Sequence, residues 1–294
     1  MRIRIRVGTW LGVLALWGLA TAAPQPDIVY LDRHNIKSKK QGLTEPSALT
    51  LAADGQGLWT ASDDSKRIFY IDLEGELDRQ RSFKIDHKNL EGLALHPEGR
   101  YLYGVNERSS QIIRFDLETQ KTVQRQPLRA LQGLPHGFEL LFADTNKGLE
   151  GITWDTARGT LFLLKEGAPG MLLEISSDLQ TLLNYRLLDA RQGFVDPQSS
   201  DEIDFSGLAY DPDKKALWIV SDRARRVYLY DWADDRVLQD WSLAYEKKGE
   251  SRSVKKAEGI AFDSVRQRFY IVSDAEARLY IFDLPGPMPG KDHE

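Results

Sequence analysis

A motif that occurs five times between Ser47 and Asp283 constrains the fold of this chain more than any other feature. Each copy has a polar residue followed by a small one, an apolar segment, a turn, a second apolar segment that ends beside an acid, and a third apolar segment. The openings of the five copies are Ser47-Ala48-Leu49, Glu91-Gly92-Leu93, Glu150-Gly151-Ile152, Ser206-Gly207-Leu208 and Glu258-Gly259-Ile260. Such a repeat indicates an architecture built from one structural unit.

The apolar segments have the length and composition of β-strands. They are short, rich in aromatic and β-branched residues, and separated by turn sequences such as His96-Pro97-Glu98-Gly99. A fourth segment follows in four of the copies, for example at residues 237–243. We therefore expect four-stranded antiparallel sheets repeated around an axis, which is an all-β propeller.

The fifth copy has no fourth strand, because the chain becomes rich in proline and glycine after Leu284. Residues 27–31 have strand character and precede the first copy, so we predict that this N-terminal strand closes the ring. The count gives a five-bladed β-propeller; a six-bladed, TolB-like propeller is the alternative and would need a sixth copy. We assign residues 23–285 to a single domain and residues 286–294 to a flexible tail.

The N-terminus has the pattern of a secretory signal peptide. Three arginines precede an apolar run at residues 7–19, and Ala20-Thr21-Ala22 forms a small-residue cleavage site. The run is shorter than the roughly 20 residues of a membrane-spanning helix. We expect cleavage of residues 1–22 and a periplasmic or secreted protein. An uncleaved signal would instead anchor the protein at the inner membrane.

Composition excludes several classes of protein. The chain has no cysteine, so it is not a disulfide scaffold or a lipoprotein and has no thiolate metal site. Removal of the signal takes away three arginines and no acids, which changes the net charge from −5 to −8. Nucleic acid is therefore not an expected partner. Because a closed ring leaves no long strand edge exposed, we expect a monomer.

Acidic residues recur at two motif positions that a propeller brings to one end of its channel. In an antiparallel blade the first strand begins at the end where the second strand finishes. The first and fourth copies have serine at the strand start, but each has an acid two residues earlier, on the same side of an extended segment. The ten candidate ligands are Glu91, Glu150, Glu258, Glu45 and Asp204 at the strand starts, and Asp63, Glu107, Glu166, Asp222 and Asp274 at the strand ends.

Carboxylates gathered near one axis need a positive charge, since burial of an unpaired charge costs several kcal/mol or forces protonation. Lys165 is the basic residue within the motif positions, and it can neutralise only one neighbour. Calcium fits best, because it accepts six to eight oxygen ligands with flexible geometry. Zinc is disfavoured, since there is no cysteine and the five histidines show no ligand pairing. A purely structural cluster of acids is the alternative.

The Ser-[Gly/Ala]-Leu and Glu-Gly-[Leu/Ile] openings, with Asn146-Lys147-Gly148-Leu149 leading into the third, resemble the SdiA-regulated family of bacterial envelope propellers. The resemblance covers roughly residues 27–284. It implies a five-bladed propeller, distantly similar to NHL repeats, with a calcium site and no established enzymatic activity. Ala48 departs from the glycine of the other four openings.

Two functions of different classes follow. The first is a non-enzymatic binding, sensor or scaffold protein of the envelope, whose channel mouth binds an unidentified protein or a small anionic ligand; basic loops at residues 34–40 and 245–256 favour the anion. The second is a metal-dependent hydrolase of the lactonase, esterase or phytase-like kind, with Glu107 or Glu166 as general base. No Gly-x-Ser-x-Gly sequence is present to support covalent catalysis.

Overall fold

The chain forms a five-bladed β-propeller. A computed structural model describes residues 28–144, 146–167, 169–197, 199 and 203–284. These residues form five four-stranded antiparallel sheets and one two-stranded hairpin, which confirms the predicted fold class and count of blades. The predicted signal peptide and C-terminal tail lie outside the described residues. No helix in the described part of the chain is long and apolar enough to cross a membrane.

Four blades are built from consecutive strands. Blade 1 contains β2 (Pro46–Leu51), β3 (Gly57–Ser62), β4 (Arg67–Asp72) and β5 (Leu77–Lys84). Blade 2 contains β6 (Leu90–Leu95), β7 (Tyr101–Asn106), β8 (Gln111–Asp116) and β9 (Lys121–Pro127). Blade 3 contains β10 (Leu149–Asp155), β11 (Thr160–Lys165), β12 (Gly170–Ile175) and β13 (Leu182–Leu188). Blade 4 contains β14 (Gly207–Asp211), β15 (Ala216–Ser221), β16 (Arg226–Asp231) and β17 (Arg236–Ser242).

The remaining elements complete blade 5, which closes the ring, and add a hairpin and three short helices outside the blades. Blade 5 contains β20 (Ala257–Asp263), β21 (Arg268–Ser273), β22 (Arg278–Asp283) and the N-terminal strand β1 (Val29–Asn35). A hairpin of β18 (Ala244–Lys247) and β19 (Glu250–Ser253) lies between blades 4 and 5 in sequence. Three short 3-10 helices occupy the loops beside blade 3, at Leu128–Ala130, Phe138–Phe142 and Ala190–Gln192.

Large apolar side chains between adjacent blades form the core, which explains why the inner strands are almost continuously apolar. Trp218 of blade 4 is fully buried, and its ring centroid lies 4.5 Å from that of Phe269 in blade 5. Trp59 and Trp154 are each 6% exposed and pack in the same way between earlier blades. Each blade therefore stabilises its neighbours through these contacts.

Strand β1 closes the ring as predicted, because it pairs antiparallel with β22 from Val29 opposite Asp283 to Asn35 opposite Arg278. The β18–β19 hairpin packs on this seam. Tyr245 of the hairpin stacks on Tyr30 with ring centroids 4.5 Å apart. Arg33 of β1 donates hydrogen bonds to the hydroxyls of Tyr245 (2.7 Å) and Tyr280 (3.4 Å).

Replacement of Arg33 with methionine should lower the free energy of unfolding by about 1 kcal/mol, because it removes these hydrogen bonds at the seam and keeps most of the apolar stem. Urea denaturation would measure the change. Arg79→Met is the matched control, since Arg79 is exposed and forms no ion pair within the described residues, and it should change stability by less than about 0.5 kcal/mol. Equal effects of the two variants would contradict the role of Arg33 at the seam.

Candidate metal centre at the acidic mouth

The acids at the strand starts point into the channel mouth because the first strands begin with β-bulges. In blade 2 the pairing skips from Leu90 to Gly92 and leaves out Glu91. In blade 3 it skips from Leu149 to Gly151 and leaves out Glu150. In blade 5 the pairing skips from Ala257 to Ile260 and leaves out Glu258 and Gly259. A bulge bends the strand and redirects the side chain of the extra residue, so these glutamates leave the plane of the sheet.

The glycine that follows each glutamate allows the first strands to approach one another around the axis. A Cβ atom on Gly151 would lie 2.7 Å from the Cβ of Leu208 in the next blade, and one on Gly259 would lie 2.6 Å from the carbonyl carbon of Ala48. Both distances are shorter than real Cβ contacts. The Glu-Gly pair thus meets two needs of the ring, a carboxylate at the mouth and close contact of backbones beside it.

Nine of the ten predicted acids line one depression of about 260 Å³ at this mouth, and every blade contributes to it. Ser47, Ser206, Asn146 and Lys256 complete the lining. Glu45 is the tenth acid; its side chain is exposed and does not line the depression. The nine acids are Asp63, Glu91, Glu107, Glu150, Glu166, Asp204, Asp222, Glu258 and Asp274.

At the two motif openings that begin with serine, the serine side chain forms a hydrogen bond and supplies no charge. The Ser47 hydroxyl donates a 2.6 Å hydrogen bond to the carbonyl of Leu90, and the Ser206 hydroxyl donates one of 2.6 Å to the carbonyl of Ala257. Each bond joins a first strand to that of the next blade. Asp204 accepts hydrogen bonds from the Ser221 hydroxyl at 2.9 Å and from the backbone of Arg223 at 3.0 Å.

Burial makes the glutamates at the strand starts hard to ionise. Glu91 and Glu150 are 8% and 9% exposed. Burial, reinforced by the charge of Asp63 and a hydrogen bond with it, raises the pKa of Glu91 well above its usual value. Burial and the charges of Glu91 and Glu258 raise the pKa of Glu150 in the same way. Burial raises the pKa of Glu258 to about 8, although the charge of Lys256 opposes the shift.

Lys256 neutralises one side of the depression. Its ammonium group hydrogen-bonds to Asp274 and lies 4.0 Å from Glu258. The bond to Asp274 raises the pKa of Lys256. Asp222, on the same side, accepts hydrogen bonds from the backbone of Ala257 and Lys256. Four charged groups on the side of blades 4 and 5 thus have partners within the protein.

The opposite side of the depression has three carboxylates close together and no ion-pair partner for them among the described residues. Oxygen atoms of Glu107, Glu150 and Glu166 all lie within 4.8 Å of one another. Burial raises the pKa of Glu107 and of Glu166. Lys165 forms no ion pair with them in the described part of the chain, because its buried ammonium donates to the carbonyls of Gly167 (2.5 Å) and Pro169 (3.3 Å). The charges of Lys147 and Lys165 only partly offset the effect of burial on the pKa of Glu166.

The sequence placed Lys256 in a basic loop around the mouth but did not pair it with the acids, and it did not single out Asn146 as a residue of the mouth. Lys256 belongs to the insertion between blades 4 and 5, outside the repeated motif, and its backbone has a left-handed φ of 48°. Asn146 precedes the opening of the third copy. The signal available in the sequence was the position of each residue shortly before a Glu-Gly opening, two residues before Glu258 for Lys256 and four residues before Glu150 for Asn146.

Solved structures with a similar fold have low sequence identity. A Myxococcus xanthus glutaminyl cyclase superimposes with a TM-score of 0.58 at 13% identity, over 88% of this chain and 97% of that chain. Kuenenia stuttgartiensis hydrazine synthase gives 0.48 at 10% identity, over 81% and 95%. The β-propeller domain of Myceliophteria thermophila Cps50 (Swd1) gives 0.44 at 14% identity over 82% of this chain, which spans 65% of the length of that one. These likenesses concern the fold alone.

The family comparison covers the whole propeller. The SdiA-regulated family matches residues 28–283, a range that begins one residue before β1 and ends at the last residue of β22. It therefore includes the closing strand, all five blades and every acid at the mouth. This chain belongs to the SdiA-regulated family.

Proposed function

We propose that this protein is an exported calcium-binding β-propeller that acts in the cell envelope as a non-enzymatic binding, sensor or scaffold protein. The convergence of Glu107, Glu150 and Glu166, which form no ion pair with any residue that the structure describes, carries the proposal. Export rests on the signal sequence at residues 1–22. The mass of the protein recovered from a periplasmic extract would test cleavage after Ala22.

The donor set supports calcium. All three groups are carboxylates, which are hard oxygen ligands, and calcium binds oxygen at about 2.3–2.6 Å. Two ligand oxygens on opposite sides of one calcium ion are therefore about 5 Å apart. The three carboxylate oxygens lie within 4.8 Å of one another, which is compatible with a single ion between them. A divalent cation would also remove the cost of ionising the buried Glu150.

Three protein carboxylates leave coordination positions for water or for another ligand, since calcium accepts six to eight oxygens. This supports binding of a small anionic ligand at the mouth. It also supports the second candidate function, a hydrolase in which the metal polarises a carbonyl or phosphoryl oxygen. If Glu107 and Glu166 hold the metal, neither is free to act as the general base.

Calcium should bind to the purified protein and raise its melting temperature. At a hundredfold excess over the dissociation constant, binding to the folded state alone adds about 2.7 kcal/mol of stability. Metal analysis by mass spectrometry, calorimetric titration and melting curves with calcium or chelator would measure this. Absence of bound calcium together with identical melting curves would overturn the proposal. Chelator-sensitive turnover of an ester, lactone or phosphate would replace the non-enzymatic role with the hydrolase.

A further inference from the structure

A second cavity lies on the same face as the acidic mouth, farther from the channel axis. It has a volume of about 490 Å³, within the usual range of small-molecule sites. One wall is the turn after Glu107, between β7 and β8 of blade 2. The other wall is the long loop at residues 127–142 that leads toward blade 3. This loop lies outside the repeated motif.

One half of this cavity offers hydrogen-bond donors and positive charge. Arg108 and Arg129 line it. Neither guanidinium forms an ion pair or hydrogen bond with any residue that the structure describes, although the charge of Arg108 acts on the neighbouring Glu107 and opposes the rise of its pKa. Ser110 and Gln111 also line the cavity, and their side chains likewise have no hydrogen-bond partner within the described ranges. Most arginines of the outer strands have acids beside them, as Arg226 has Asp240. Two unpaired guanidiniums on one cavity therefore favour an anion.

The other half is apolar and fixed by the core. Leu128 and Phe138 are 2% and 3% exposed and belong to the hydrophobic cluster between blades 2 and 3. Leu134 and Phe142 are half-buried and pack against this cluster. The rings of Phe138 and Phe142 have centroids 5.4 Å apart. This wall presents a preformed surface to an apolar group of a ligand.

We propose that this cavity binds a small amphiphilic carboxylate. The charged head lies between Arg108 and Arg129, and the aliphatic tail packs on Leu134, Phe138 and Phe142. Glu139 is the acid in the lining, and it follows Phe138 at the apolar end, so it repels the head from that end. No residue that lines this cavity also lines the acidic mouth, so the two sites can be tested separately.

The positive charge of the cavity lined by Arg108 and Arg129 makes it selective for an anionic ligand. A similar apolar cavity of about 430 Å³ flanks the other side of blade 3 on the same face. Its described lining residues include Asp189 and Asp196 and no basic residue, so it does not suit an anion. An amphiphilic carboxylate should therefore bind at one site per molecule.

Calorimetric titration with decanoate, in the presence of a chelator, tests the proposal. Decanoate should bind with a stoichiometry of one, and acetate and decanol should each bind at least about tenfold more weakly, since each lacks one half of the ligand. Arg108→Gln and Arg129→Gln should each weaken decanoate binding by about five- to tenfold. Arg79→Gln removes the same charge from a residue of blade 1 that does not line this cavity, so it should have no effect.

A further variant separates the contribution of the apolar lining residues to binding from that of the arginines. Leu134→Ser should weaken decanoate binding and leave the weak binding of acetate unchanged. Equal affinity for decanoate and decanol, or decanoate binding that survives both arginine substitutions, would overturn the proposal. Because calcium is absent, this result is independent of the calcium titration, and either inference can fail alone.

Discussion

Replacement of Glu150 with glutamine should reduce calcium affinity by about a hundredfold or more, measured by calorimetric titration. Glu150 is buried, and its carboxylate oxygen lies within 4.8 Å of those of Glu107 and Glu166. Glutamine keeps the shape and one oxygen but removes the negative charge, and calcium affinity depends strongly on the number of charged ligands. The free protein should keep its stability, because a neutral side chain suits this buried position.

Two other variants show whether the effect arises from coordination. Glu45→Gln removes the same charge from the acid that lies outside the depression, so it should change the affinity by less than about threefold. Lys256→Met should raise the affinity, because it removes the positive charge that neutralises Asp274 and Glu258. If Glu45→Gln weakened binding as much as Glu150→Gln, calcium would be responding to the general charge of the face.

The repeat predicted the fold and most of the mouth because both depend on a fixed period along the chain. Glu91, Glu150 and Glu258 occupy one motif position, and the same position in successive blades must lie at the same height around the axis. The closing strand was also predictable, since the fifth copy lacked a strand and residues 27–31 had the required pattern. The family resemblance added no residue to this set.

The pairing of the charges was not predictable, because it depends on segments outside the repeat. Lys256 reaches Asp274 from an insertion whose hairpin packs on the ring seam through Tyr245 and Tyr30. Glu45 lies near enough to Asp274 and Asp63 for burial and their charges to raise its pKa, but its side chain is exposed and does not line the depression. Arg108 and Arg129 line one cavity only because the loop at residues 127–142 lies beside the turn that follows β7.

Without calcium, the protein should become less stable as the pH rises from 6.5 to 8. The pKa of Glu258 is about 8 in the folded state, against an ordinary value of 4.5. Between these values the folded protein holds a proton that the unfolded chain has released, so the free energy of unfolding falls with pH, by up to about 1.4 kcal/mol per unit for one group. Glu91 and Glu150 shift in the same direction.

Melting curves in chelator at several pH values would measure this slope. The window starts at 6.5 because burial lowers the pKa of His87, which acts in the opposite direction at lower pH. Calcium competes with the protons for the same carboxylates, so its stabilisation should grow over the window in which the free protein weakens. Glu258→Gln cannot ionise, and in chelator it should be more stable than the wild type at pH 8. A free protein whose melting temperature rises from pH 6.5 to 8 would mean that the buried glutamates ionise without penalty, and the mouth would then need no cation.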